Sequence, residues 1–177
     1  MRPFFEFLRD RFGEEPLVGV EIGVHKGDNA SEILDGLCIY KLFLVDPWMP
    51  FDNKGNASFK MREKWLTKEY HDFCFEFVRE RFLGRDDIEI VRATSLEASR
   101  LNLYPEGFDF VYIDAVHDYE NVLRDCRCWY PLLSSRGYIG GHDYWNKEFP
   151  GVKKAVDEFA REVHKDVIAK GVDWWLK

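Results

Sequence analysis

The stretch VEIGVHKGDNA, residues 20–30, decides the fold. The apolar run LVGVEIG (17–23) closes on a glycine, and a second glycine follows at Gly27. After it, DNASEILDGL (28–37) places Ala30, Ile33, Leu34 and Leu37 at helical spacing. A buried strand, a glycine turn and a helix form the unit from which parallel sheets are built. In that turn Gly23 permits a sharp reversal, and Gly27 lets backbone approach a ligand closely. The helix start offers unpaired N–H groups, with Asp28 beside them as a possible cap.

Outward from this unit the alternation continues. YKLFLVD (40–46), IEIVRA (88–93), FDFVYID (108–114) and RGYIGGHD (136–143) read as strands. Between them lie a loop at 47–57 and a long helix from Ser58 to Phe82, with Leu66, Tyr70, Phe73, Cys74 and Phe77 on one face. Further helices are SLEASRL (95–101), residues 118–130 stopped near Pro131, and GVKKAVDEFAREVH (151–164). MRPFFEFLRDRF reads as a short amphipathic helix, and DVIAKGVDWWLK as a closing hairpin turning at Lys170-Gly171. The pattern predicts one domain, residues 1–177, built on a mostly parallel seven-stranded sheet whose last hairpin places one strand antiparallel.

Composition limits the function classes. The 177 residues suit a single core, and a net charge of −7 disfavours nucleic acid as the main partner. No apolar run approaches the length of a membrane span, and the charged N-terminal stretch is unlike a secretion signal. The four cysteines lack zinc-ligand spacing, so reduced thiols in a cytoplasmic monomer or homodimer are expected.

Ligands of such sheets sit beyond the carboxyl ends of the strands. Glu21, Asp46, Asp114 and Asp143 all fall at that edge. Gathering carboxylates is costly unless they bind something, which makes this edge the candidate site. Asp46, about 20 residues after the glycines, stands where a carboxylate accepts both hydroxyls of a ribose. Beyond Asp114 lies His117, whose ordinary pKa near 6.5 suits a general base. Trp48, Trp145 and Phe149 follow the edge acids and are candidates either to line a substrate mouth or to cover the core.

With VYIDAVHDYENV (111–122) and YIGGHDY (138–144), these residues resemble the class I S-adenosylmethionine-dependent methyltransferases. More narrowly, they are similar to the small metal-dependent O-methyltransferases of the macrocin and catechol types, from about Leu17 to Phe159. The resemblance implies a Rossmann-like three-layer α/β sandwich. It also implies that Glu21, Gly23, Gly27 and Asn29 border the methionine end of the cofactor, that Asp46 holds the ribose, and that Thr94 and Ser95 flank the adenine. Asp114, which also borders the cofactor, matches a metal-ligand position, and His142 and Asp143 match two more. His117 stands where catechol-type relatives carry a catalytic lysine, so Asp114 and His117 are the catalytic candidates. His142 departs from the family, which usually has Asp there. An imidazole broadens the expected metal from Mg²⁺ to Mn²⁺, Fe²⁺, Co²⁺ or Zn²⁺. The expected acceptor is a small hydroxyl compound.

Three rivals remain at this level: a metal-independent methyltransferase, a non-catalytic nucleoside-binding module, and a nicotinamide-dependent oxidoreductase. The last is disfavoured by His25 in the middle position of G-x-G-x-x-G and by Asp28, whose charge opposes a pyrophosphate.

Overall fold

A computed structural model describes residues 1–50 and 67–177. The first elements are α1 (Pro3–Phe12), β1 (Leu17–Ile22), α2 (Asp28–Gly36) and β2 (Ile39–Val45). They are followed by α3 (Lys68–Arg81), β3 (Ile88–Val91), α4 (Ser95–Ala98) and β4 (Phe108–Ile113). The chain continues with α5 (Tyr119–Trp129), a 3₁₀ turn at Tyr130–Leu132, β5 (Leu133–Gly141) and α6 (Pro150–Glu162). It closes with β6 (Val167–Lys170) and β7 (Asp173–Leu176). The sheet runs β3-β2-β1-β4-β5-β7-β6. The pairings from β3 to β5 are parallel, and β7 is antiparallel to both β5 and β6, as the closing hairpin predicts. β1 and β4 meet in the middle, so the switch in strand order falls between the Gly23 turn and Asp114.

Both central strands are buried along their whole length, which explains their unbroken apolar runs. Alternating side chains feed two core layers. Val18, Val20 and Ile22 of β1 pack with Val111 and Ile113 against α5 and α6. Leu17, Leu42, Leu44, Phe110 and Tyr112 pack against α1, α2 and α3. β7 serves both layers, with Trp174 in the first and Trp175 in the second. α1 docks through Phe4, Phe5, Leu8 and Phe12, at the i, i+1, i+4, i+8 spacing of one helix face. Burying each such side chain contributes about 1.5–3 kcal/mol.

Three expectations change. The helix foreseen from Ser58 begins at Lys68, because Thr67 is extended and caps it by accepting from the Tyr70 N–H. Leu66 and the rest of that stretch lie outside the described residues. The face α3 buries is Cys74 and Val78, while Phe73 and Phe77 are exposed. The Lys26 ammonium, 5.3 Å from the Phe73 ring centre and 5.9 Å from that of Phe77, occupies the outer side of that row. Third, Asp28 does not cap α2. Gly27, left-handed at φ 79°, takes that position, and Asp28 pairs with Arg81 on α3. The space a Gly27 β-carbon would occupy is filled by Phe82, so helix packing by itself already requires a glycine there.

Thr94 and Ser95, expected beside an adenine, use their side chains internally. Thr94 forms a capping box with Glu97. The Ser95 hydroxyl donates to Asp125 at 2.7 Å and accepts from the Trp129 indole at 2.9 Å. Burial pushes the Asp125 carboxyl up to about 6, against the Ser95 hydrogen bond. A carboxyl raised above its unfolded value lowers stability as pH climbs from about 4 through about 6. Asp125→Asn, which keeps an acceptor for Ser95, should therefore raise the melting temperature at pH 7.5 and leave it nearly unchanged at pH 4. Thermal denaturation across that range checks it, and a pH-independent difference would contradict it.

Candidate active site

The carboxyl ends of β1, β4 and β5 collect the predicted acids, and neighbouring strands are in register there. Asp114 N–H donates to the Ile22 carbonyl, and His142 N–H to the Ile113 carbonyl, so each residue just past a strand is pinned to the strand beside it. Gly23 must be glycine: its φ is +90°, and a β-carbon would lie 2.3 Å from the Asp114 carbonyl oxygen. That close approach brings the first loop against the end of β4.

Adjacent strand residues point to opposite faces, so His142 and Asp143 can converge only beyond a break in the strand. The break is at Asp143 itself, which is left-handed with φ 63°. Gly140 and Gly141 remain in the strand and leave room for Trp174. Their lack of side chains permits the β7 packing. Asp114, His117, His142 and Asp143 then place one donor atom each within 4.8 Å of the others. Nε2 of His117 lies 3.2 Å from Asp114 Oδ1 and 3.0 Å from Asp143 Oδ2. Nδ1 of His142 lies 3.2 Å from Asp143 Oδ2 and 3.8 Å from Asp114 Oδ1. The Phe149 ring stacks on His117 at 4.6 Å.

Burial alone would lower the His117 pKa, but its bonds to Asp114 and Asp143 outweigh that and raise it to about 9. In the chain by itself His117 is an imidazolium, a cation clamped between two carboxylates. Burial opposes the charge on Asp143, yet His117, His142 and Asn146 hold its carboxyl well below the usual range. Asp114 is lowered against burial too, by His117, His142 and Asn29. Both acids are therefore ionised and available to a cation.

Glu21 is the opposite case. It is fully buried, and among the described residues neither carboxyl oxygen has a hydrogen-bond partner. Burial and the charge of Asp114 push it well above the usual range, although nearby Asn29 pulls the other way. An unpartnered carboxyl at the end of β1 calls for a donor or a positive charge from a ligand. Asn29 lies on α2 and donates to Asp114 Oδ2 at 2.8 Å.

Asp46 has a task that spacing did not reveal. Its Oδ2 accepts from the Val24 and His25 N–H groups, and its Oδ1 from that of Trp48, at 2.7–2.9 Å. It holds the glycine loop in shape. Trp48 is a core residue whose indole donates to the His25 carbonyl, so it lines no substrate mouth. Trp145 is exposed. The charge-bearing residues missed in the sequence are Arg2 and Asp173, which adjoin the site through Asn29 and Tyr112. Both lie at the far ends of the chain, and only the fold brings them here. A cavity of about 320 Å³ lined by Ser135, Tyr138, Lys165 and Lys177 contains none of these groups, so cavity size does not locate the site.

A profile of the methyltransferase-domain family matches residues 20–144. The chain belongs to that family. The match runs from the β1 strand through both loops that carry the cluster. An uncharacterized protein, R132, of Acanthamoeba polyphaga mimivirus is 23% identical over 159 residues. That match spans 89% of this chain and 66% of the relative, just under two thirds of its length. Among solved structures, the O-methyltransferase NovP superposes with a TM-score of 0.66 at 19% identity, covering 98% of this chain and 78% of NovP. The O-methyltransferase from Bacillus cereus in complex with SAH gives 0.66 at 17% identity, covering 99% and 80%. At these identities the superpositions establish the shared fold.

Asp46→Ala leaves three backbone N–H groups without an acceptor. It should therefore destabilise the ligand-free chain by about 1–3 kcal/mol, seen as a lower melting temperature. A mutant as stable as the wild type would show that the loop holds its shape without it.

Proposed function

We propose that this methyltransferase transfers the methyl group of S-adenosylmethionine to the hydroxyl of a small molecule, aided by a divalent cation. One observation carries the reading: two ionised carboxylates and two imidazoles converge at the ends of β4 and β5, beside the carboxyl of Glu21, which is unpartnered among the described residues. A hydroxyl acceptor is supported by the names of two of the matched structures, both O-methyltransferases, and the cofactor by the SAH held in one of them.

The residues fit these groups. Glu21 and Asn29 would meet the charged methionine end, and Asp46, in the loop it shapes, the ribose. Thr94 and Ser95 stay in the proposal through their position after β3. Asp114, His142 and Asp143 would hold the cation, a mixed oxygen and nitrogen set that suits Mn²⁺ or Co²⁺ at least as well as Mg²⁺. A bound cation lowers the pKa of a hydroxyl and fixes its position. S-adenosylmethionine supplies a methyl group on a positively charged sulfur. His117 would be the base: with the carboxylate charge beside it neutralised, the interactions that raise its pKa to about 9 would weaken, its Nε2 proton would leave to solvent, and Nε2 would then accept the hydroxyl proton. Phe149 stacked on its ring fixes that nitrogen's direction. The free thiols suit a reducing compartment such as the cytoplasm.

One observation favours a metal-free variant of the same reaction. His117 already supplies the positive charge between Asp114 and Asp143. Excess chelator separates the two: it should abolish methyl transfer, and Mn²⁺ or Co²⁺ should restore it. Undiminished turnover in chelator would leave the acids as pocket residues. The broader reading is tested by mass spectrometry of the purified protein for retained S-adenosylmethionine or its demethylated product, and by calorimetry with both. His117→Gln should lower kcat about 10²- to 10⁴-fold, the range for a lost general base, with Mn²⁺ affinity within threefold. A loss of Mn²⁺ affinity instead would make His117 a ligand.

A further inference from the structure

Beneath the cluster a line of polar side chains runs from Asp114 through Asn29 to Arg2, which no reading of the catalytic groups requires. Arg2, just before α1, donates from Nε to Asn29 Oδ1 at 2.7 Å. Asn29 Nδ2 donates to Asp114 Oδ2 at 2.8 Å, and Asp114 Oδ1 faces His117 at 3.2 Å. Arg2 is itself held from behind. Its Nη1 lies 3.5 Å from Asp173 Oδ1, its Nε lies 3.9 Å from Glu32, and its guanidinium carbon sits 6.0 Å from the Tyr112 ring centre. Asp173, fully buried at the start of β7, also accepts from the Phe4 N–H at 3.2 Å and the Tyr112 hydroxyl at 3.3 Å.

The chemistry of the end members dictates the middle one. A guanidinium can only donate, and an ionised carboxylate can only accept. An amide between them has one workable orientation: oxygen toward Arg2, nitrogen toward Asp114. Turned over, it would set its NH₂ against the guanidinium and its oxygen against the carboxylate. Among the described residues, Arg2 is the side chain that holds the amide oxygen, so without it the orientation rests on Asp114 alone.

We infer that Arg2 is a positioning residue for Asp114, acting through Asn29. By fixing the Asn29 amide it reserves Asp114 Oδ2 for that bond and leaves Oδ1 aimed at the space shared with His142 and Asp143. The cation site is thus set in part by a residue ahead of the first helix, 112 positions away in the chain. The inference rests on the proposed cation at Asp114, and the test distinguishes the two.

Calorimetric titration with Mn²⁺ on the intact chain compares the wild type with Arg2→Met, Arg2→Lys, Asn29→Ala and the Arg2→Met/Asn29→Ala double variant. Arg2→Met should weaken Mn²⁺ about tenfold, at the lower end of what outer partners of metal ligands contribute. Arg2→Lys should weaken it similarly while keeping its charge beside Asp173 and a near-native melting temperature, which separates direction from mere docking of α1. In the Asn29→Ala background the Arg2 substitution should cost nothing further, because the route is already cut. Unchanged affinity in both Arg2 variants, or additive losses in the double variant, would overturn the inference. If the wild type binds no Mn²⁺, the cation reading fails, and the metal-free protein decides this one by NMR. There the shift difference between the two Asn29 side-chain amide protons, widened in the wild type by the bond to Asp114, should fall toward that of a solvated amide in Arg2→Met. An Asn29 signal indifferent to Arg2 would refute it.

Discussion

Mutual repulsion of the acids at one sheet edge is the constraint around which the rest is arranged. Parallel pairing of β1, β4 and β5 places Glu21, Asp114 and Asp143 at neighbouring strand ends, with little water to screen them. Left alone, such a group would resist folding. The chain answers each charge differently. Glu21 is pushed toward its neutral form, while Asp114 and Asp143 stay ionised because His117 and His142 lie between them. Every other feature of the site follows from keeping those imidazoles and carboxylates in place.

The outer layers keep that arrangement rigid. Gly23 brings the first loop within a β-carbon's width of Asp114, and Asp46 gathers three N–H groups of the loop and its neighbour. β7 is wedged against β5 with both tryptophans buried on opposite faces, which fixes the strand end from which His142 and Asp143 emerge. The ends of the chain join the same structure, since α1 packs on Tyr112 and Trp175 while Asp173 accepts from its first turn. Stability and chemistry are therefore coupled here: the residues that close the core also aim the donors.

Much of this was legible in the sequence. Unbroken apolar runs specified buried parallel strands, two-glycine punctuation located the first loop, and the acids were found because each ends a strand. Periodicity failed on α3, where aromatic spacing suggested a buried face; Phe73 and Phe77 instead turn outward toward Lys26. Of the two roles open to Trp48, lining a mouth or covering the core, the structure shows the second.

What the sequence determined by itself is the order of elements, the parallel sheet with its antiparallel closing strand, and which residues reach the ligand edge. Those depend on local periods of two and 3.6 residues and on turn chemistry, all written along the chain. Only the tertiary structure decided what the edge residues do to one another. That His117 is shared by two carboxylates, that Glu21 has no hydrogen-bond partner among the described residues, and that Arg2 donates to Asn29 are facts of distance across the fold. Electrostatic and hydrogen-bond energies vary over ångströms, and no spacing along a chain specifies ångströms across a sheet.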